Sequence, residues 1–241
     1  MKGWLKRGVG AFLLPFAAMA SQQAAADDWT LELAPYLWVA GIYGDATIDG
    51  EEYDLSSDFS DIIDQTKFGG SFIFAANRGQ WVNFVQLDYL ALENDDVETR
   101  LSRSEVKIES DSLLLTATTG YRFTLGQRHS LDLMAGLRYV GLSAEIDDRQ
   151  RSSNSSRDIY DAVVMVRPIV QLAENWQLMP SFSIGTGDTD LTWEVFPEII
   201  YQPGEWKFRF GYRNLNFDYE DGDDELDLSM RGLLLGVGFV F

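Results

Sequence analysis

The sequence predicts an all-β protein: a transmembrane antiparallel up-and-down β-barrel of about ten strands, with eight and twelve as neighbouring counts. Three observations predict it. Apolar side chains alternate with small or polar ones along several segments, as at Phe68, Phe72 and Phe74. The connections between segments are short and long in turn, and Trp residues collect where segments begin. Alternate residues of a strand point to opposite faces, and a barrel in lipid turns its apolar face outward.

The chain begins with a predicted signal peptide over residues 1–26, which leaves residues 27–241 as one barrel domain. Three basic residues precede an apolar run from Gly8 to Ala20, and A-x-A exits end at Ala20 and Ala26. This order of charged, apolar and small residues is typical of secretory leaders. We favour cleavage after Ala26, because the mature chain then begins just before the Trp that opens the first strand.

The composition is acidic and free of cysteine. The chain has 38 Asp and Glu against 19 Lys and Arg, and no Cys. Three of the basic residues belong to the leader, so the mature net charge is 16 − 38 = −22. Nucleic-acid binding depends on neutralising phosphates with Lys and Arg, so this balance argues against a nucleic-acid partner. Disulfides and thiolate chemistry are excluded as well.

Ten segments of alternating character are the predicted strands. In chain order they are Trp29–Ile42, Lys67–Asn77, Trp81–Leu92, Val106–Phe123, Ser130–Ile146, Ile159–Leu172, Trp176–Thr186, Leu191–Gln202, Trp206–Tyr219 and Leu226–Phe241. Most exceed the ~9–11 residues with which a tilted strand crosses the hydrocarbon.

The connections support a membrane barrel over a soluble sandwich. Short turns follow the even-numbered strands, as at Arg78-Gly79, and mostly long loops follow the odd-numbered ones, as at Tyr43–Thr66; Gly187–Asp190 is a short exception. Outer-membrane barrels have short periplasmic turns and long outer loops. An even strand count also places both termini on the periplasmic side.

An aromatic girdle is predicted at that end. Trp29, Trp81, Trp176 and Trp206 each open an odd-numbered strand, and Phe241 ends the last one. Aromatic rings settle at the headgroup level of a bilayer because part of each ring system is apolar and part can hydrogen-bond. A single ring of aromatic side chains around the barrel, at one membrane face, accounts for these positions.

The last strand carries a further signal. Gly236, Phe239 and Phe241 are spaced G-x-x-F-x-F up to the final residue. The segment resembles the C-terminal strand of bacterial outer-membrane barrels. That resemblance implies that the barrel-assembly machinery reads these residues and that this strand closes against the first.

The resemblance extends over the mature chain. The stretches Ala34–Trp38 and Gly211–Tyr219 are similar to those of small Gram-negative outer-membrane proteins, the group that includes the transmembrane part of the OmpA family and the OmpW and opacity-type barrels. It implies a protein of the bacterial outer membrane, surrounded by lipid and lipopolysaccharide. Activity does not follow from such a fold.

The inward face of the predicted barrel carries charge. The candidate lumen-lining residues are Arg122, Asp132, Arg138, Arg167, Glu194, Glu198, Arg209 and Arg213. A turn centred on Pro203-Gly204 predicts that Glu198 faces Arg209 and that Glu194 faces Arg213. Around another short turn, Arg122 faces Asp132. Opposite charges falling in register across paired strands support the pairing.

Two functions fit this lumen. In the leading hypothesis the charges form a salt-bridged filling, and the protein has a structural or interaction role. In the alternative they line a narrow, porin-like passive channel that selects small solutes or ions. A ten-stranded barrel lies between small filled barrels and wide porins, so its size leaves both open.

The predicted outer loops hold most of the acidic surplus. Carboxylates crowd the stretches 45–64 and 218–227. Hard cations prefer such oxygens, so weak contacts with divalent cations or lipopolysaccharide are one interpretation, and solvated loops are the other. The spacing matches no calcium loop, so no metal site is predicted.

Catalysis has little support in the sequence. The single His, His129, falls beside a predicted periplasmic turn, and no Ser lies in a nucleophile-elbow motif. A lipid-modifying enzyme is therefore the weakest of the three hypotheses. We expect no enzymatic activity and no cofactor.

Overall fold

The computed structural model describes residues 29–48, 51–54, 56, 58, 60, 62, 66–97, 106–148, 151–221 and 224–241, so the predicted signal peptide lies outside the described residues. The strands are β1 Thr30–Ile48, β2 Glu51–Asp54, β3 Thr66–Arg78, β4 Trp81–Val97, β5 Val106–Leu125, β6 His129–Asp148, β7 Arg151–Ala173, β8 Trp176–Leu178, β9 Ser181–Gly187, β10 Leu191–Phe196, β11 Glu198–Tyr201, β12 Trp206–Asp221 and β13 Asp224–Val240. Among the described residues, no helix has the length and apolarity to cross a bilayer.

The strands form one closed antiparallel barrel. Each barrel strand pairs with its sequence neighbours, and β13 pairs with β1, so the sheet has no free side edge around the ring. Two barrel strands are each built from two pieces, β8 with β9 and β10 with β11. Counting each pair as one strand, and leaving aside β2, gives the predicted ten.

Several strands differ from their predicted limits. β7 begins at Arg151 rather than Ile159, because its outer half pairs with β6 beyond the membrane-length stretch. The short β2, within a predicted loop, folds back onto the outer end of β1. The predicted seventh strand is interrupted at Met179-Pro180 and the eighth at Pro197.

Three prolines form a row across neighbouring strands. Pro168 in β7 lies opposite Pro180, since Val166 pairs with Phe182 and Val170 with Leu178. In the next strand Pro197 lies opposite Pro180 by the same count. Proline has no N–H to donate to a ladder, and this explains why both two-piece strands break at this level.

The alternation of side chains is as predicted. On β13 the odd-numbered residues from Leu233 to Phe239 are exposed on the outer surface, whereas Leu234 is fully buried inside. On β6, Leu137 is 61% exposed while its neighbour Arg138 is 0% exposed. An apolar exterior with charged residues inside reverses the arrangement of a soluble sandwich, and suits a barrel in lipid.

One predicted register is wrong by two residues. Ile200, not Glu198, lies opposite Arg209, and Tyr201 lies opposite Phe208. The connection is wider than a two-residue turn, and Gly204 within it has a φ of 75°. Because a shift of two keeps every side chain on its own face, the inward and outward sets are unchanged. The register of Arg122 opposite Asp132 is as predicted.

Candidate functional site

The lumen contains two groups of ion pairs, one above the other. The end of the barrel that carries the termini and the short turns is the periplasmic end. We call the group nearer to it the periplasmic cluster and the deeper one the central cluster. The periplasmic cluster consists of Glu32, Arg122, Asp132, Arg167, Glu198, Lys207 and Arg209, and the central cluster of Asp88, Arg138, Glu194 and Arg213.

The central cluster crosses the lumen. Arg213 on β12 reaches Asp88 on β4 at 2.7 Å and Glu194 on β10 at 2.9 Å. Arg138 on β6 contacts the same Glu194 at 3.3 Å. Both arginine side chains are 0% exposed. Charges this deep persist only when paired and hydrogen-bonded, so these contacts hold opposite walls of the barrel together.

Neutral polar groups complete the central cluster. Arg138 also donates to Thr192 at 2.7 Å and to Ser183 at 2.8 Å. The hydroxyl of Tyr36 donates to Asp88 at 2.5 Å. With a further bond from Nε to Thr116 at 3.2 Å, each nitrogen of Arg138 and both oxygens of Asp88 have a partner, which favours a stable buried network.

The periplasmic cluster consists of two sets of shared ion pairs. Asp132 accepts bidentate bonds from Arg122, at 2.6 and 2.9 Å, and a further pair from Arg167. Across the lumen, Arg209 lies between Glu32 at 2.5 Å and Glu198 at 3.0 Å. Lys207 binds the same Glu32 at 2.5 Å. In the Asp132 set, Arg122 keeps 29% of its side chain exposed.

An apolar layer separates the two clusters. Met134 lies between Asp132 and Arg138 on β6, and Phe196 between Glu198 and Glu194 on the β10–β11 strand. The layer is a buried group made of Ala34, Tyr36, Ile73, Val82, Phe84, Met134, Met165, Phe196 and Leu234. Aromatic rings in and beside the layer contact the charges on both sides. Arg167 lies 4.9 Å from the ring of Phe84, and Arg213 lies 4.3 Å from the ring of the adjoining Trp38.

The predicted pairs form diagonally. Glu198 and Arg209 contact each other although they are not directly opposite, and the same is true of Glu194 and Arg213. Long side chains span the diagonal of a strand pair, so the two-residue register error left these contacts possible.

Some members of the clusters were not among the predicted site residues. Glu32 and Lys207 bind each other although they are 175 positions apart in sequence. Asp88, which binds Arg213 at 2.7 Å, is also absent from the predicted set. The inward parity of β1 and β12 could have identified Glu32 and Lys207, because both lie two residues from inward neighbours. Asp161, also inward and buried, accepts bonds from the backbone and hydroxyl of Thr189.

A cavity opens at the periplasmic end. It has a volume of about 950 Å³ and lies between the turn residues Arg128, Glu174 and Gln202 and the periplasmic cluster. We call it the periplasmic vestibule. Inward of it, Met134, Met165 and Phe196 are at most 3% exposed, so the vestibule ends at the apolar layer.

The predicted girdle residues all lie at the periplasmic end and are exposed on the outer surface: Trp29, Trp81, Trp176, Trp206 and Phe241. Several contact aromatic neighbours. Trp176 lies 4.7 Å from Tyr201, and Trp206 lies 5.3 Å from Phe239. Their role as an interfacial girdle stays a prediction.

The three residues of the predicted assembly signal lie on the closing strand pair. Gly236 is opposite Tyr36 of β1, and Phe239 is opposite Leu33. The backbone of Phe241 exchanges two hydrogen bonds with Leu31, at 2.8 and 2.9 Å. The signal itself stays a prediction.

The outer carboxylates are described only in part. The side chains of Glu51, Glu52 and Asp54, and residues 61 and 222–223 entirely, lie outside the described residues. Within the described part of the chain, no group of three or more His, Asp or Glu is placed to hold a metal ion. The cation contact therefore stays a prediction. His129 lies exposed at the vestibule mouth.

Comparison with known proteins identifies the class. Residues 11–241 match the model of the outer membrane protein beta-barrel domain, and the chain belongs to that family. It is a small Gram-negative outer-membrane β-barrel protein, located in the bacterial outer membrane, where its exterior contacts lipid and lipopolysaccharide. No curated protein sequence matches it.

Solved structures with a similar fold share little sequence. The outer membrane protease OmpT from Escherichia coli has a TM-score of 0.52 and 8% identity, over 90% of this chain and 98% of that one. Ail of Yersinia pestis has a TM-score of 0.40 and 12% identity, over 89% and 99%. OprG from Pseudomonas aeruginosa has a TM-score of 0.35 and 12% identity, over 89% and 95%. At such identities the likeness concerns the fold alone.

Proposed function

We propose that the protein is a closed, non-conducting outer-membrane barrel with a structural or interaction role. One observation carries the proposal: side chains from facing walls meet in the lumen and are buried there. Arg213 joins β12 to β4 and β10, and Arg138 joins β6 to β10. A passive channel needs a continuous water path, and side chains that water does not reach do not line one.

The apolar layer supports the same function. An ion crossing it would have to leave water among mostly apolar side chains, since Ile73, Met165 and Leu234 are at most 1% exposed. Transfer of an isolated ion into an apolar medium is strongly unfavourable. The layer and the central cluster therefore act together as a plug.

The interaction role falls to the ends of the barrel. We assign the outer acidic stretches to contacts at the cell surface, with lipopolysaccharide phosphates bridged by divalent cations as the favoured chemistry. We assign the G-x-x-F-x-F strand, with Gly236, Phe239 and Phe241, to recognition by the barrel-assembly machinery. Both assignments rest on sequence patterns.

Catalysis is not part of the proposal. The single His lies at the mouth of the periplasmic vestibule, and the deep carboxylates Asp132 and Glu194 are each bound to two arginines. A carboxylate that serves as a base needs access to a substrate, and these have none. Assay of the refolded protein against peptide and phospholipid substrates tests this; turnover lost on His129→Ala would overturn it.

Conductance tests the closed barrel. The mature chain is refolded, its folding is checked by the heat-dependent gel shift, and it is inserted into a planar bilayer at defined salt. We expect a silent bilayer, with a general porin as the positive control for insertion and detection. Discrete, reproducible current steps would overturn the closed barrel in favour of the narrow channel. Glu194, Glu198, Arg209 and Arg213 would then be its selectivity residues.

A further inference from the structure

The periplasmic vestibule is cationic in a strongly acidic protein. Five cationic side chains line it, against two carboxylates. The cations are Arg122, Arg128, Arg167, Lys207 and Arg209, and the carboxylates are Glu32 and Glu174. The whole chain has twice as many acidic residues as basic ones, 38 against 19. Positive charge is thus concentrated at one concave place.

Two of the three carboxylates paired with these cations lie beneath them, and the third, Glu32, lines the cavity. Asp132 is 0% exposed and Glu198 is 3% exposed, and neither lines the cavity. Arg122, by contrast, has 29% of its side chain exposed, and Lys207 has 16%. A solute entering from the periplasm therefore meets ammonium and guanidinium groups before it meets the buried carboxylates.

The cations keep unused donors. Arg122 and Arg167 each bind Asp132 through Nε and Nη2, so neither Nη1 has a hydrogen-bond partner among the described residues. Lys207 gives one bond to Glu32 and has three hydrogens to donate. A cavity of about 950 Å³ has ample room for a phosphate group, and the remaining guanidinium and ammonium donors suit its oxygens.

We propose that the periplasmic vestibule binds phosphate-bearing anions, with Arg122 and Lys207 as the contacting residues and Arg128 at the mouth. The site is independent of whether the lumen conducts. A phosphate group can arrive in solution or as the headgroup of a lipid in the periplasmic leaflet. For the second route, the headgroup would enter at the periplasmic rim, where Arg128 lies on a turn at the mouth of the vestibule.

Calorimetry on the refolded mature chain in a neutral detergent tests the site. One arm titrates inorganic phosphate at constant ionic strength, and the other titrates phosphatidylglycerol in mixed micelles. We expect saturable binding at one site, weakened about tenfold or more in Arg122→Gln/Lys207→Gln because two charge-assisted contacts are lost. Rising salt should weaken it too, since the cations are partly exposed. Binding of phosphate and lipid alike identifies the solution route, and binding of the lipid alone identifies the membrane route.

Two single variants complete the design. Arg128→Gln lies on an exposed turn and leaves the ion pairs intact, so it should fold and weaken binding by roughly threefold through a lost rim charge. Arg231→Gln, at the outer end, should bind like the unaltered protein. The proposal is overturned if neither probe binds saturably. It is equally overturned if lipid binds with the same affinity in all variants, which would mean contacts with the outer wall alone.

Discussion

The two charged clusters use the same residue types under different constraints. The central cluster balances two carboxylates against two arginines, and its arginines are 0% exposed. The periplasmic cluster has four cations and three carboxylates, a net charge of 4 − 3 = +1, and it borders an open cavity. On most strands, about one inward-facing residue of the apolar layer lies between a residue of one cluster and a residue of the other.

The difference shows how depth decides what a charge can do. In the sealed region water cannot solvate an unpaired ion, so equal numbers of positive and negative charges are required for stability. Beside the vestibule, water can solvate a surplus charge, and the same arginine becomes available to a ligand. The central cluster is therefore suited to closing the barrel, and the periplasmic cluster to meeting solutes.

The largest expected effect is on the central cluster. Arg213→Met should lower the free energy of unfolding by ~3–5 kcal/mol, because Asp88 loses its cation and Glu194 keeps only Arg138. Urea titration of the refolded protein, followed by Trp fluorescence, measures it. If the free energy of unfolding fell by only as much as for an exposed ion pair, water would reach the central cluster. The contrast between the two clusters would then be wrong.

Accessibility separates the two regions directly. The chain has no Cys, so single thiols can be introduced without background. Ser130 lines the vestibule, and Ser183 lies beside the central cluster, where its hydroxyl accepts a hydrogen bond from Arg138. Ser130→Cys and Ser183→Cys place one thiol in each region. A charged maleimide should label the central thiol on the order of 100-fold more slowly, since labelling there needs local opening. Equal rates would show a continuous water path.

The pairing of Glu198 with Arg209 is tested by a double-mutant cycle. Glu198→Gln should destabilise the barrel, and Glu198→Gln with Arg209→Met should recover part of the summed loss. We expect a coupling free energy of about 1–2 kcal/mol, within the range for residues in one network. Glu32 retains Lys207 in the double variant, so no carboxylate is left alone. Additive losses would contradict the contact.

The smallest effect is expected at Arg122. Arg122→Met should cost at most about 1 kcal/mol, because Asp132 keeps Arg167 and the lost side chain is partly exposed. The loss should shrink as salt rises, whereas that of Arg213→Met should not. Urea titrations at low and high salt make the comparison, and a salt-independent loss at Arg122 would place it with the central residues.

Most of the fold was predictable because alternation is a local signal. Leu137 and Arg138 sit on their predicted faces, and Arg122 faces Asp132 because short turns fix the register of uninterrupted strands. The register at Pro203-Gly204 was missed because that pair does not specify one turn geometry.

Contacts across the lumen were beyond sequence reasoning. Arg213 and Asp88 are 125 positions apart, and their meeting depends on the stagger of the closed sheet. The same is true of Glu32 with Lys207 and Arg209. The alternation along a strand shows which side chains point inward, but it does not show the position of each one along the barrel axis.

The alternation also decides which changes in length the wall can accept. Deleting one residue early in β12 would turn Arg209 and Arg213 toward lipid, at ~2–4 kcal/mol for each near the midplane, and would bring Phe208 and Phe210 inside. Deleting two residues keeps every side chain on its own face, as the two-residue register difference at this hairpin illustrates. The strands of this barrel can therefore accept insertions and deletions of two residues, whereas insertions and deletions of one residue are expected in its loops.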